Sequence, residues 1–494
     1  MGLTLPVVRI AVALQLAVTS ACATLPCGAA PPASLPQPGG AAPAAVHDTL
    51  TVLGRWFDNL VAMRHLPGMA GVVLHGRDVL WQREAGFADV AAERPLTAET
   101  PFFAGSVSKL FTSVAVLQLR DAGRLDLDAP VTRYLPGFAV KDGDASLITV
   151  RELLDHRSGL RREATAPYWM TYDFPDWPTL EAELAGAPLE SIPGTRTEYS
   201  NVGMAVLGQV VAIASGQAYA DYLHDHVLAP LGLLHTTARA DDAARARVAT
   251  PYSREKRHLH GARRVREHGD PRAMAPAFGV ITTACDLARF ARFLLGADPD
   301  GAAVLAPGSR AEMLTPQDVL AVWTEARGLG FELEKVKGHL RASHNGWFSG
   351  HRAQLALVPD LDLAVVLLAN ADDAPVADVA DRILDDLIDA YALAAAAPPD
   401  RTLAGLVGLY GNGWLADRDV VLLSDGLWQY TPALSPDVPV RHGLESLLPL
   451  GGDSFHVGTP DGQLIHFTRS ADGRGARLVM QEGAVWLERR PDLP

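Results

Sequence analysis

Cysteine is scarce: there are three in 494 residues, and two of them, Cys22 and Cys27, lie near the N-terminus. Closing Cys27 onto Cys285 requires the N-terminal segment to fold back, so no structural disulfide is expected. Cys285, in the apolar run 280–285, reads as a small buried hydrophobe. Basic charge is in deficit, with 43 Lys plus Arg against 57 Asp plus Glu and a formal net charge of -14. That argues against nucleic acid as a partner, since phosphate binding needs a basic footprint. No apolar run reaches the roughly 20 residues needed to span a bilayer. No G-x-S-x-G elbow occurs, which argues against an α/β-hydrolase. Neither His224-Asp225-His226 nor His258-Leu259-His260 has zinc-ligand spacing, because i and i+2 on a helix point apart. No metal or other cofactor is expected. What remains is an ordinary folded composition, 48% hydrophobic and 20% charged.

The length implies two domains once a leader is removed. Arg9, the apolar run 10–18 and the small residues Ser20, Ala21 and Ala23 read as an export signal over residues 1–23, which places the protein in a periplasm or outside the cell. Cys22 is the alternative lipid-anchor position, although Thr19 stands where such signals resemble a leucine-bearing box. Residues 24–46, rich in Ala, Pro and Gly, read as a flexible tether.

From 47 to 397 the pattern is mixed. Leu50, Leu53, Phe57, Leu60 and Val61 predict an amphipathic helix over 47–66, and the runs 69–74 and 79–82 predict a hairpin. Residues 106–122 form an almost wholly apolar helix stopped by Gly123. Thr149 with Glu152 predicts a capping box. Helices are expected over 202–215 and 287–295, the latter capped by Asp286, and 236–275 reads as a polar surface excursion. Runs 354–358 and 363–368 are strands, followed by an Ala-rich helix over 374–396. Beyond 402 eight short apolar runs alternate with turns, as in a small antiparallel barrel or sandwich.

Ser106 and Lys109, at i and i+3, share one side of the first turn of the buried helix, about 5–6 Å apart at Cβ. A hydroxyl and an amine so placed can act as nucleophile and activator. Tyr199 and Asn201 stand on a loop entering the next helix, and His344, Gly346 and Trp347 stand at a strand whose glycine permits close backbone approach. Together they supply a base, an orienter and oxyanion donors. His156 reads as a structural member of its turn.

Ser106-Val107-Ser108-Lys109, Tyr199-Ser200-Asn201 and His344-Asn345-Gly346 resemble, in order and separation, the three signature motifs of the serine β-lactamase and penicillin-binding superfamily. The flanks Leu125-Asp126-Leu127-Asp128, Thr149 to His156 and Pro230-Leu231-Gly232 are similar to the branch holding class C β-lactamases, D-alanyl-D-alanine carboxypeptidases, D-aminopeptidases and esterases. The resemblance covers roughly residues 50 to 390. It implies an α+β fold, an antiparallel sheet flanked by helices with an all-helical subdomain, and an acyl-enzyme on Ser106. Lys109 or Tyr199 would be the base, with the choice open. Asn201 would orient Lys109 and a substrate amide, and the N–H of Trp347 would be the second oxyanion donor beside that of Ser106. His344 fills a slot that is lysine in class C β-lactamases and often histidine in the peptidase-like branch, which ranks peptidase or esterase above β-lactamase; a penicillin sensor acylated without turnover is a further alternative. The substrate would be a small molecule or peptide. The tail, with Leu406 to Tyr410, Phe455 and Phe467, resembles a lipocalin-like module expected to pack against this domain and border its cleft. Oligomeric state is left open.

Overall fold

The computed structural model describes residues 44–255, 263–317, 324–392, 401–412, 417–423, 426–431, 444–460, 462–471, 474–480 and 485–490. The leader, most of the tether, Cys22, Cys27, His258 and His260 lie outside them. The first amphipathic segment forms α1 (Ala44–Met63), starting a little before its predicted onset. The hairpin is β1 (Gly68–His75) and β2 (Asp78–Asp89), followed by the short β3 (Arg94–Pro95) and β4 (Phe102–Phe103). The buried helix is α2 (Ser108–Asp121). Then come α3 (Val150–Leu154), α4 (Asn201–Ser215), β5 (Ile281–Thr282) and α5 (Ala284–Leu295). Strands β6 (Glu325–Arg327), β7 (Glu332–Val336), β8 (His339–Phe348), β9 (His351–Val358) and β10 (Leu363–Ala369) precede α6 (Val376–Ala392).

Eight strands form one antiparallel sheet in the order β3-β2-β1-β10-β9-β8-β7-β6. Strand β10 is apolar at every position because both of its faces are covered. Leu363, Val365, Leu367 and Ala369 join a core with α1 and α6. The period of two sends their neighbours to the opposite face, where α5 packs. Helix α2 lies against α5 through the stacked rings of Phe111 and Phe290, 3.8 Å apart. The predicted capping box is present, with Glu152 bonded to the Thr149 N–H and Thr149 to that of Glu152.

Three local expectations change. Thr283, not Asp286, caps α5: its hydroxyl accepts from the Asp286 N–H, while the Asp286 carboxylate accepts from the His235 N–H and Thr236. The stretch 236–275 is not wholly superficial, because Val248, Ala249 and Tyr252 are buried and their neighbourhood bonds backbone to backbone with Pro101, Ala88 and Asn370. Cys285 is buried as expected but is disulfide-bonded.

The tail takes the expected barrel form. Eight antiparallel strands between Gly408 and Arg489 close into a barrel. Its interior is packed with Tyr410, Phe455, Ile465, Phe467, Leu478 and Leu487. Among the described residues it packs on α1: Arg55 pairs with Asp419, Asn59 donates to the Tyr430 hydroxyl at 3.0 Å, and Val421 and Leu423 enter the core holding α1 and α6. Apolar side chains on one outer face of a barrel strand need a dry partner, and α1 supplies it.

Behind the turn that carries Ser106, the rings of Phe102 and Phe103 each lie 5.8 Å from that of His351, which stacks on His268 at 6.0 Å. Burial, then the neighbouring His268, pushes the His351 imidazole well below the ordinary histidine range, and burial lowers His268 too. Both rings therefore take up a proton less readily in the fold than in the unfolded chain, where they protonate near pH ~6.5. Stability from this source is present above that pH and is lost as pH falls below it, because the unfolded state then binds more protons. The urea midpoint is expected to drop between about pH 6.5 and 5, and less steeply in His351→Gln. Identical slopes for the two proteins would remove His351 as a cause.

Candidate active site

Ser106 lies in a 3-10 turn, Gly105–Val107, that runs into α2. Gly105 has φ +52, and a Cβ on it would meet the Trp347 nitrogen at 2.3 Å. A Cβ on Gly346 would meet the Ala104 oxygen at 2.0 Å and lie 3.1 Å from the Ser106 nitrogen. Turn and β8 thus touch backbone to backbone, with room only for hydrogen at both glycines. The contact gathers the N–H groups of Ser106 and Trp347 in one corner, and the first N–H groups of a helical turn have no partner within it. Two such donors suit an oxyanion.

Lys109 is completely buried. Its Nζ is 3.1 Å from Ser106 Oγ, 2.7 Å from Asn201 Oδ1 and 2.8 Å from the Ala277 carbonyl oxygen. Burial pushes the amine well below the ordinary lysine value, and the Glu163 carboxylate pulls the other way. Tyr199, also hydrogen-bonded to Ser106, has its phenol pushed far up by burial and stays protonated. Around its ring stand Lys109 Nζ and Arg162 Cζ, each 4.8 Å from the centroid, and Arg327 Cζ at 5.8 Å.

Asn201 opens α4, where the Ser200 hydroxyl caps the helix by accepting from the Gly203 N–H. Its Nδ2 donates to Glu163 Oε1 at 2.5 Å. His156, at φ +64, lies against Tyr199 with ring centroids 4.5 Å apart; its Nδ1 accepts from the Ser200 N–H, and burial keeps it neutral. His344 is buried and donates from Nδ1 to the Asn345 carbonyl at 2.7 Å. Burial pushes its imidazole down to about 4, against the pull of Glu332. Burial disfavours the Glu332 carboxylate as well, but the charges around it, with Arg327 2.8 Å away, hold it below the ordinary carboxylate range.

Trp347 donates from Nε1 to Asp372 at 2.6 Å and stacks on Trp169 at 5.2 Å. Trp169 also leans on Phe174 and Phe278, giving the site an aromatic wall. A cleft of about 720 Å³ beyond Asn345 and Gly346, flanked by Arg64, Arg254, Arg352 and residues 373–378, is lined by neither Ser106, Lys109 nor Tyr199 and is distinct from this site.

All seven residues singled out from the sequence, Ser106, Lys109, Tyr199, Asn201, His344, Gly346 and Trp347, therefore meet in one place. Reasoning from the sequence missed Glu163, Arg162, Arg327 and Glu332. Only the position of Glu163 and Arg162 just past Ser158-Gly159-Leu160 hinted at them, and nothing in the pattern marked Arg327 or Glu332. The other histidine pair stands apart: His224 bonds Asp225 at 2.9 Å and His226 bonds Gln217 at 3.1 Å.

A helix-borne serine and lysine facing a sheet strand across a Tyr/Asn loop define a family, and the chain belongs to it: the sequence profile described as Beta-lactamase matches residues 53–390. Penicillin-binding protein 4 of Amycolatopsis lactamdurans is 33% identical over 325 residues, 64% of this chain and 83% of that one. Esterase EstB of Burkholderia gladioli is 37% identical over 196 residues, 36% of this chain and about half, 48%, of that one. Among solved structures, a class C β-lactamase superposes with a TM-score of 0.59 at 21% identity over 68% of this chain and 96% of its own. The octameric penicillin-binding protein homologue from Pyrococcus abyssi gives 0.58 at 20% identity over 88% and 98%. These two show the fold alone. The chain is thus a hydrolase-family protein of the β-lactamase, penicillin-binding and esterase type.

Proposed function

We propose that the protein is an exported serine hydrolase that forms and hydrolyses an acyl-enzyme on Ser106, acting on amide or ester bonds of D-amino-acid peptides or small esters. The observation that carries the reading is the environment of Lys109. A neutral amine has two hydrogens and one lone pair. Two of its three partners, Asn201 Oδ1 and the Ala277 carbonyl, can only accept, so they take the hydrogens and the lone pair is left for the Ser106 hydroxyl. Of the two candidate bases Lys109 is the one so prepared, because Tyr199 keeps its proton.

The Ser106 oxygen attacks the substrate carbonyl as its proton passes to Lys109. The oxyanion rests between the N–H groups of Ser106 and Trp347. As the tetrahedral species collapses, Tyr199 gives its proton to the leaving nitrogen or oxygen and recovers one from Lys109, which returns the site to its starting charge. Water then attacks the ester, with Lys109 taking its proton and the Ser106 oxygen leaving protonated. A neutral His344 presents no cation to the substrate at pH 7, which favours esters and amides without an obligatory carboxylate at that slot.

The test is a panel of D-Ala-D-Ala peptides, D-amino-acid amides, short-chain esters and a chromogenic cephalosporin at known enzyme concentration. Steady release well beyond one equivalent from an ester or D-amino-acid amide is expected. Product that stops at one equivalent on every substrate would instead make the protein a sensor that is acylated once.

A further inference from the structure

Asn201 has two nearly isosteric ends, and the lysine base works with only one of them. With Oδ1 towards Lys109, Asn201 absorbs an amine hydrogen and spares the lone pair. Turned over, its Nδ2–H would donate to that lone pair and compete with Ser106. Lys109 itself does not decide the orientation, since a neutral amine both donates and accepts. The group on the far side does. Glu163 Oε1 lies 2.5 Å from Asn201 Nδ2, and a carboxylate is acceptor-only, so it can face the NH2 end alone.

We propose that Glu163 is a positioning residue of this site, holding the Asn201 amide with Oδ1 turned towards Lys109. The proposal rests on the assignment of Ser106 and Lys109 above. Its geometry is a chain of four groups, Glu163 to Asn201 to Lys109 to Ser106, crossing from the loop after α3 to the start of α4 and on to α2. The same Glu163 oxygen is also paired with Arg162 Nε at 3.7 Å, too far for a hydrogen bond, so its short contact is the one to Asn201.

The carboxylate also acts through its charge. Lys109 feels Glu163 and Arg162 from the loop, Arg327 and Glu332 from β6 and β7, and the imidazoles of His344 and His156 on either side of Tyr199. Among these, Glu163 is the strongest influence favouring the protonated amine. Removing its charge lets Lys109 lose its proton at lower pH. A residue that merely braced the loop would leave that pH where it is.

The experiment is the pH profile of kcat/KM, with kcat at saturation, for the parent, Glu163→Gln and Glu163→Asp, with Ser106→Ala as blank. In Glu163→Gln the acidic limb is expected to move down by about one pH unit, the size of one carboxylate's field across a partly screened gap. Its kcat should fall about tenfold with KM nearly unchanged, because the amide is no longer held one way round. Glu163→Asp keeps the charge but shortens the reach, so its limb should stay near the parent's while kcat falls; this variant carries the test should the Gln protein not fold. A Gln limb that stays in place, or an Asp enzyme with parental kcat, overturns the proposal. If Ser106→Ala turned over like the parent, the assignment of the nucleophile would fail instead, and the two failures are distinguishable.

Discussion

Ser106→Ala is expected to lower kcat/KM by about 10³-fold or more on any substrate the parent turns over, the scale on which loss of a nucleophile acts in acyl-transfer enzymes. Its fold should survive. The substitution removes one hydroxyl at the head of α2, leaves Lys109 Nζ its contacts with Asn201 and the Ala277 carbonyl, and adds no volume. Removing polar groups from an active site is commonly neutral or mildly stabilising, so the melting temperature should hold or rise. A chromogenic ester followed under single-turnover and steady-state conditions, together with a thermal melt, checks both parts. No covalent adduct should form on the intact variant by mass spectrometry. Turnover within tenfold of the parent in a folded Ser106→Ala protein would sink the assignment.

Gly346→Ala is expected to be the second most damaging change, for a reason unconnected with polarity. A Cβ there would lie 2.0 Å from the Ala104 carbonyl oxygen, a backbone atom that no rotamer change can move aside. Strand β8 cannot simply retreat, because Gly346 is paired with Ala353 of β9 and the strand is held by β7 over residues 339–343. Relief must come from opening the gap between β8 and the turn at Ser106, which separates the N–H groups of Ser106 and Trp347. A drop in kcat of about 10²-fold or more follows from losing one aligned oxyanion donor. Overpacking of this kind costs about 1–3 kcal/mol of stability. Gly137→Ala is the control: nothing lies within 4 Å of its Cβ position, and it should behave as the parent. A Gly346→Ala enzyme with parental kcat would show that the two N–H groups do not act together.

Much of this site was legible from residues alone, because its parts are local. Ser106 and Lys109 are joined by one helical turn, Tyr199 and Asn201 by one loop, and His344, Gly346 and Trp347 by one strand. The barrel was legible for the same reason: eight short apolar runs separated by turns needed only the period of two and the turn residues to be recognised, and each run became a strand. What escaped was set by partners distant in sequence. Asp286 looked like a helix cap until Thr283 took that role and freed its carboxylate for Thr236, some fifty residues away. The barrel's seat on α1 depends on Arg55 meeting Asp419, and neither residue announces the other.

Returning to the catalytic pair, the amino-acid sequence by itself determined which groups are available and in what order, since spacing along a helix or strand dictates which side chains share a face. Only the tertiary structure decided their chemical state. Complete burial of Lys109 between Asn201 and the Ala277 carbonyl is what pulls its amine well below the ordinary lysine value, and burial of His344 is what strips that slot of charge. Desolvation and hydrogen-bond geometry arise from chain segments tens to hundreds of residues apart. No local pattern encodes them.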